Sequence, residues 1–186
     1  AVAFAPESSA VVLSDDRTTR LEPGSPEIGW LAKRDLVPRG YLGDRERTER
    51  TFPVVDGLRL AVAGDRARVA ADGSIELLGR DSVTINTGGE KVFAEEVESV
   101  LKEHPAVFDA IVCGLPSERW GQEVVAVVQL RADDGSRSTT DDELRSWCRE
   151  RLADFKAPKR IVRVDEVVRS PSGKPDYAWA RTVASY

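Results

Sequence analysis

Residues 123–130 place Val124, Val125, Ala126, Val127 and Val128 in unbroken succession between Glu123 and Gln129. A strand with one wet face alternates apolar and polar side chains, whereas a strand covered on both faces reads as a continuous Val-rich run. A run this short, rich in β-branched residues, fits a strand better than a helix. It therefore predicts a central strand that needs partners beside it and cover on both sides. Residues 107–113 and 161–164 supply two further strand-like segments. Residues 95–103 supply a helix, with Phe93, Val97, Val100 and Leu101 on one face and Glu95 and Glu96 in the first turn, where the helix dipole favours acids. Pro105 ends it. Thr140 and Glu143 form a capping box ahead of Leu144, Trp147, Cys148 and Leu152, a second amphipathic helix. Residues 170–173 read as an exposed loop.

The upstream part has another texture. Residues 22–53 are dense in turn formers (Pro23-Gly24-Ser25-Pro26, Gly29, Pro38-Arg39-Gly40, Gly43-Asp44), which predicts short strands and loops without a long helix. Residues 67–70 and 74–78 alternate around Asp72-Gly73, the pattern of a β-hairpin whose glycine supplies the positive-φ turn. Gly79-Arg80-Asp81-Ser82 reads as a boundary. The expected fold class is α+β: a β-rich segment over 1–79, a hinge at 80–82, and over 83–186 a small domain with a short sheet and packed helices.

Charge and composition exclude some functions. The net charge is −5, from 27 Lys and Arg against 32 Asp and Glu, so no global basic field draws a nucleic acid. No apolar run approaches the roughly 18 residues of a membrane helix. Residues 1–5 lack the basic flank of a secretory signal, so the expected compartment is the cytoplasm. Cys113, Cys148 and His104 do not have the spacing of a metal cluster, and a structural role is expected for all three.

Three segments carry more local constraint than packing needs: Ala63-Gly64-Asp65, residues 79–97, and residues 171–177. Gly88-Gly89, just ahead of a helix, reads either as a plain turn or as a place where a ligand meets the backbone closely. Lys174 stands on a loop between Pro171 and Pro175. It reads either as a solvated lysine or as a compact charge that a loop can bring to a phosphate. It is not the lysine of a nucleotide-binding P-loop, because Val168 occupies the required upstream glycine position and Pro175 stands where Ser or Thr is needed.

In order and spacing, Gly40-Tyr41, Gly64-Asp65, Gly79-Arg80, Gly88-Gly89-Glu90-Lys91, Glu95-Glu96-Val97-Glu98, Trp120-Gly121-Gln122 and Gly173-Lys174-Pro175 resemble the C-terminal third of the adenylate-forming ligases, specifically their acyl-CoA synthetases. The resemblance covers essentially the whole chain. Residues 85–97 with His104-Pro105 and Pro175-Asp176-Tyr177 look most like actinobacterial fatty-acid and sterol-side-chain CoA ligases.

The resemblance implies an AMP-forming acid–thiol ligase with ATP, Mg2+ and CoA as co-substrates and none of them held tightly by these residues alone. Residues 1–79 would close a large nucleotide-binding domain, and 83–186 would be a mobile domain hinged at Ser82. Asp65 would hold the ATP ribose, Arg80 would contact the nucleotide, and Lys174 would stabilise charge at the α-phosphate. Gly88, Gly89 and Lys91 would line the pantetheine path, with Trp120 as its aromatic wall and Phe155 and Lys159 on the CoA nucleotide. Two departures stand out. Ser82 occupies a hinge position commonly Asp or Lys, and Ala157 stands where some relatives place a cation. The phosphate loop and the acyl pocket fall outside these residues, so the resemblance implies a fragment that is inactive alone and works with the remainder of the N-terminal domain. Two other readings stay open: an adenylating enzyme that loads a carrier-protein pantetheine, and a non-catalytic interaction domain.

Overall fold

The computed structural model describes residues 2–4, 9–132 and 138–186. Ala1 and Ala5, the ends of the opening apolar stretch, lie outside them. The chain divides into two compact units, Ala1–Ser82 and Val83–Tyr186.

The first unit contains strands β1 (Val2–Phe4), β2 (Ala10–Leu13) and β3 (Gly29–Lys33), helix α1 (Arg45–Thr51), and strands β4 (Val54–Val55), β5 (Leu58–Arg59), β6 (Ala61–Val69) and β7 (Ile75–Arg80). Five of these strands form an antiparallel sheet in the order β1-β7-β6-β3-β2, while β4 and β5 pair separately. Successive residues of a strand point to opposite faces. Leu13, Trp30, Ala32 and Val62 accordingly pack on one side with Val55 and Leu60, and Val12, Ala67, Val69 and Ile75 on the other.

The expected hairpin is β6–β7. Its turn is held by Asp72, which accepts from the Ser74 N–H at 2.9 Å, and Gly73 takes φ +83°. Gly29 corrects its reading as a turn former. It lies buried in β3, where a Cβ would meet the Leu13 carbonyl oxygen at 1.9 Å, so close strand approach explains the glycine. Within 22–53 the one helix is α1, seven residues long with none of them buried.

The second unit contains β8 (Thr84–Thr87), β9 (Glu90–Phe93), α2 (Ala94–Lys102), β10 (Val107–Ser117), β11 (Gly121–Leu130), α3 (Asp141–Arg149), β12 (Arg160–Val164) and α4 (Tyr177–Ala184). Strand β11 is central. It pairs antiparallel with β10 along most of its length, parallel with β12, and through Gly121 with Thr87 of β8. Val124, Ala126 and Val128 face a core built with Val97 and Leu101 of α2 and Leu144 and Cys148 of α3. Val125 and Val127 face Ala180 and Ala184 of α4. The continuous valine run is thus covered on both faces. The capping box is present at α3, with Glu143 N–H donating to the Thr140 hydroxyl and Thr140 N–H donating to the Glu143 carboxylate. Among the described residues no helix is long and apolar enough to cross a membrane.

Candidate functional site

In the first unit, Asp65 and Arg80 lie directly opposite each other on β6 and β7. The Arg80 Nε stands 3.5 Å from the Asp65 carboxylate, with Asp65 partly buried and Arg80 mostly exposed. The preceding glycines make this possible, since Gly64 takes φ +99° and Gly79 φ +149°, where a side chain would be strained. The strand beneath is anchored by Arg66. Its guanidinium is buried over the Trp30 ring at 4.2 Å and bonds Asp15 at 2.6 Å. An acceptor beside a cation at a strand end suits a sugar diol next to a phosphate or base.

In the second unit, Gly88 and Gly89 form the tip of the β8–β9 hairpin with φ of +59° and +87°. The Gly88 N–H donates to the Trp120 carbonyl at 2.8 Å, and a Cβ on Gly88 would lie 3.1 Å from the Trp120 ring. The indole can rest on the backbone there because no side chain intervenes. Beside it lies a cavity of about 160 Å³ lined by Thr87, Gly88, Glu90, Trp120, Asp154, Phe155 and Lys159. The structure therefore gathers Gly88, Trp120, Phe155 and Lys159, which are far apart in sequence. Gly89 and Lys91 are exposed on the same hairpin and do not line the cavity. Ala157 is buried in the core, so no cation reaches the cavity from that position. An aromatic wall, a bare backbone edge and a lysine can receive a thin chain carrying an anionic group.

Lys174 is exposed on a tight turn. Its N–H donates to the Ser170 hydroxyl at 3.1 Å, and its carbonyl accepts from the Ser170 N–H at 2.9 Å. The turn is tied to β10 by Arg169, which grips Asp109 with two bonds of 2.6 and 2.7 Å and donates to the Gly173 carbonyl at 3.1 Å. Burial alone would raise the Asp109 carboxyl, but the Arg169 bonds and the Ala110 N–H hold it below the ordinary carboxylate range. No local pattern marked Asp109 and Arg169, because the partners stand 60 residues apart in the chain.

The two features of this unit occupy opposite ends of one hairpin. The Lys174 turn hangs from Asp109 near the open end of β10, while Trp120 precedes Gly121, which pairs with Ser117 at the closed end. The stretch of strand from Asp109 to Ser117 is about 27 Å at ~3.4 Å per residue. Ser82, in the turn Asp81–Val83, is exposed at the junction of the two units.

Cys113 and Cys148 are buried free thiols, and burial pushes both up to about 11, which leaves them unreactive. His104 packs edge-on against Trp147 with ring centroids 4.9 Å apart. Among the described residues no group of three His, Cys, Asp or Glu side chains could hold a metal ion.

Comparison with known proteins finds one family model and several relatives that match this chain. Residues 96–174 match the AMP-binding enzyme C-terminal domain. The chain is 57% identical over 173 residues to the medium-chain acyl-CoA ligase Mig of Mycobacterium avium, covering 93% of the chain and 31% of that protein. It is 50% identical over 175 residues to the 3-oxocholest-4-en-26-oate–CoA ligase of Rhodococcus rhodochrous, covering 94% and 31%. The chain thus spans under a third of the length of these relatives. Among solved structures, o-succinylbenzoate CoA synthetase of Bacillus subtilis in complex with its acyl-adenylate intermediate superposes with a TM-score of 0.78 at 29% identity, over 95% of this chain and 34% of that one. ATP-bound MatB of Rhodopseudomonas palustris superposes with a TM-score of 0.77 at 28% identity, over 94% and 33%.

Proposed function

We propose that this chain, whose residues 96–174 match the AMP-binding enzyme C-terminal domain, is the C-terminal part of an ATP-dependent acyl-CoA ligase. The reaction runs in two halves. A carboxylate oxygen attacks the α-phosphorus of Mg-ATP, a P–O bond breaks, and pyrophosphate leaves an acyl-adenylate. The CoA thiol, having lost its proton, then attacks the acyl carbonyl and AMP departs. In the first half, Asp65 accepts from the ribose hydroxyls, Arg80 lies beside the nucleotide, and the Lys174 ammonium opposes the charge that grows on the α-phosphate. In the second, pantetheine passes Gly88 and Gly89 along Trp120, with Lys91 on the same hairpin and Phe155 and Lys159 toward the CoA nucleotide. Mg2+ arrives with ATP as part of the substrate.

The observation that supports this reading most is the separation of Lys174 from the Gly88–Trp120 cavity by the length of β10. A turn tied to Asp109 at one end of β10 and a cavity at the other, with about 27 Å of strand between Asp109 and Ser117, do not both serve one reacting carbonyl from a single position of the unit. A reaction in two steps, with Val83–Tyr186 turning about Ser82 between them, uses each end in turn. The named substrates of the two relatives, a medium-chain acyl group and a sterol side-chain acid, share a carboxylate on a long apolar body, and we assign that class to this enzyme. A cytoplasmic setting, where ATP and CoA are available, agrees with the two free thiols.

The test is carboxylate-dependent ATP–pyrophosphate exchange, followed by acyl-CoA formation with free CoA, in the full-length protein carrying this chain. Exchange with fatty or sterol acids and turnover with free CoA are expected. Exchange without turnover on free CoA would favour delivery to a carrier protein, and absence of exchange would remove the enzyme reading.

A further inference from the structure

The turn that carries Lys174 is exposed, and its internal bonds do not fix it against the body of the unit. Two side chains do so, one on each flank. Upstream, Arg169 spends its guanidinium on both the Asp109 carboxylate and the Gly173 carbonyl, so the residue next to Lys174 is pinned to β10. Downstream, Tyr177 opens α4 three positions after Lys174, packs against the core that α2 builds, and turns its hydroxyl toward the Glu98 carboxyl, where it opposes the rise that burial imposes on that acid. Glu98 is only 3% exposed and also accepts from the Val112 N–H at 3.0 Å, so its position is set by helix and sheet together.

A buried carboxyl is a poor device for stability, since well-packed apolar groups of the same size often do as well or better. What it offers is a fixed direction: a polar contact that one placement of Tyr177 makes and others lose. Asp109 and Glu98 come from the rigid α2–β10 layer, and both of their partners flank the same exposed lysine. Resting on the role assigned above to Lys174, we propose that Tyr177 and Arg169 are positioning residues that hold the Lys174 turn in the geometry adenylation needs, acting through Glu98 and Asp109. Neither touches the cavity at Trp120. Their loss therefore falls on one half-reaction, whereas a general loss of folding falls on both.

The experiment uses the full-length protein with Tyr177→Phe, which removes one hydroxyl, and Arg169→Lys, which keeps the charge but cannot bridge carboxylate and carbonyl together. Glu98→Gln, which keeps the side chain's shape, an oxygen for the Val112 N–H and a polar group toward Tyr177, serves as the conservative variant. ATP–pyrophosphate exchange and single-turnover thioester formation from supplied acyl-adenylate are measured side by side. Exchange kcat is expected to fall about 5- to 10-fold in Tyr177→Phe and Arg169→Lys, the scale of one lost hydrogen bond. KM for ATP and the thioester step are expected to hold, and Glu98→Gln to keep most of the exchange rate. Unchanged exchange in both variants, or an equal fall of both half-reactions, overturns the proposal. Lys174→Ala separates the two levels. A selective loss of exchange in Lys174→Ala with silent Tyr177→Phe and Arg169→Lys sinks the positioning role alone, while no selective loss in Lys174→Ala sinks the role of the lysine and this inference with it.

Discussion

Glu98 shows how one residue links packing to acid–base behaviour. Burial pushes its carboxyl from 4.5 up to about 7, against the Val112 N–H and Lys102, with Glu95 adding to the rise and the Tyr177 hydroxyl opposing it. Between those two values the folded protein holds a proton that the unfolded chain has released. Stability from this group is therefore fully present below about 4.5 and is lost as pH rises through about 7. Glu98→Gln removes the slope. The thermal midpoint of the wild type is expected to drop more than that of Glu98→Gln between pH 5 and pH 8, and parallel curves would show that Glu98 does not titrate in this window. The sequence marked Glu98 only as part of an acidic helix start. Its burial depends on Val112 and Tyr177, which no spacing connects to it. Asp65 and Arg80 were more legible, because a turn centred on Asp72-Gly73 puts residues equidistant from it on facing strands. The bulge between Arg66 and Ala67 completes that register.

Elements were readable where their apolar pattern was strong. The valine run announced a doubly covered strand, and the Thr140–Glu143 box announced α3. The helices that escaped lack such patterns. Helix α1 buries nothing, and α4, only eight residues long, buries fully just the small Ala180 and Ala184 and is too short to repeat a stripe. The β8–β9 hairpin was legible at its tip and not in its strands, since only Ile85, Thr87, Val92 and Phe93 turn inward. This tip carries its own prediction. Gly88→Ala must hold φ near +59°, a left-handed conformation costing about 1–2 kcal/mol for a residue with a Cβ, and must displace an indole 3.1 Å away. Thioester formation from supplied acyl-adenylate is expected to slow about 10-fold, the factor that about 1.4 kcal/mol represents, with ATP–pyrophosphate exchange intact. An unchanged thioester step would remove the pantetheine role of this hairpin.

At the scale of the whole molecule, the central claim is that one small unit serves two chemical steps from two ends. The parts of this arrangement were visible in sequence as separate motifs, but their separation was not, because it depends on which end of β10 each one reaches. The most direct measurement is a crossed assay of both half-reactions on Lys174→Ala and Gly88→Ala in the full-length protein. Lys174→Ala is expected to slow ATP–pyrophosphate exchange by about 10² to 10³, the scale of one preorganised charge donor, and to spare thioester formation. Gly88→Ala is expected to do the reverse. Loss of the same half-reaction in both variants, or of both half-reactions in each, would contradict a unit that works from two ends.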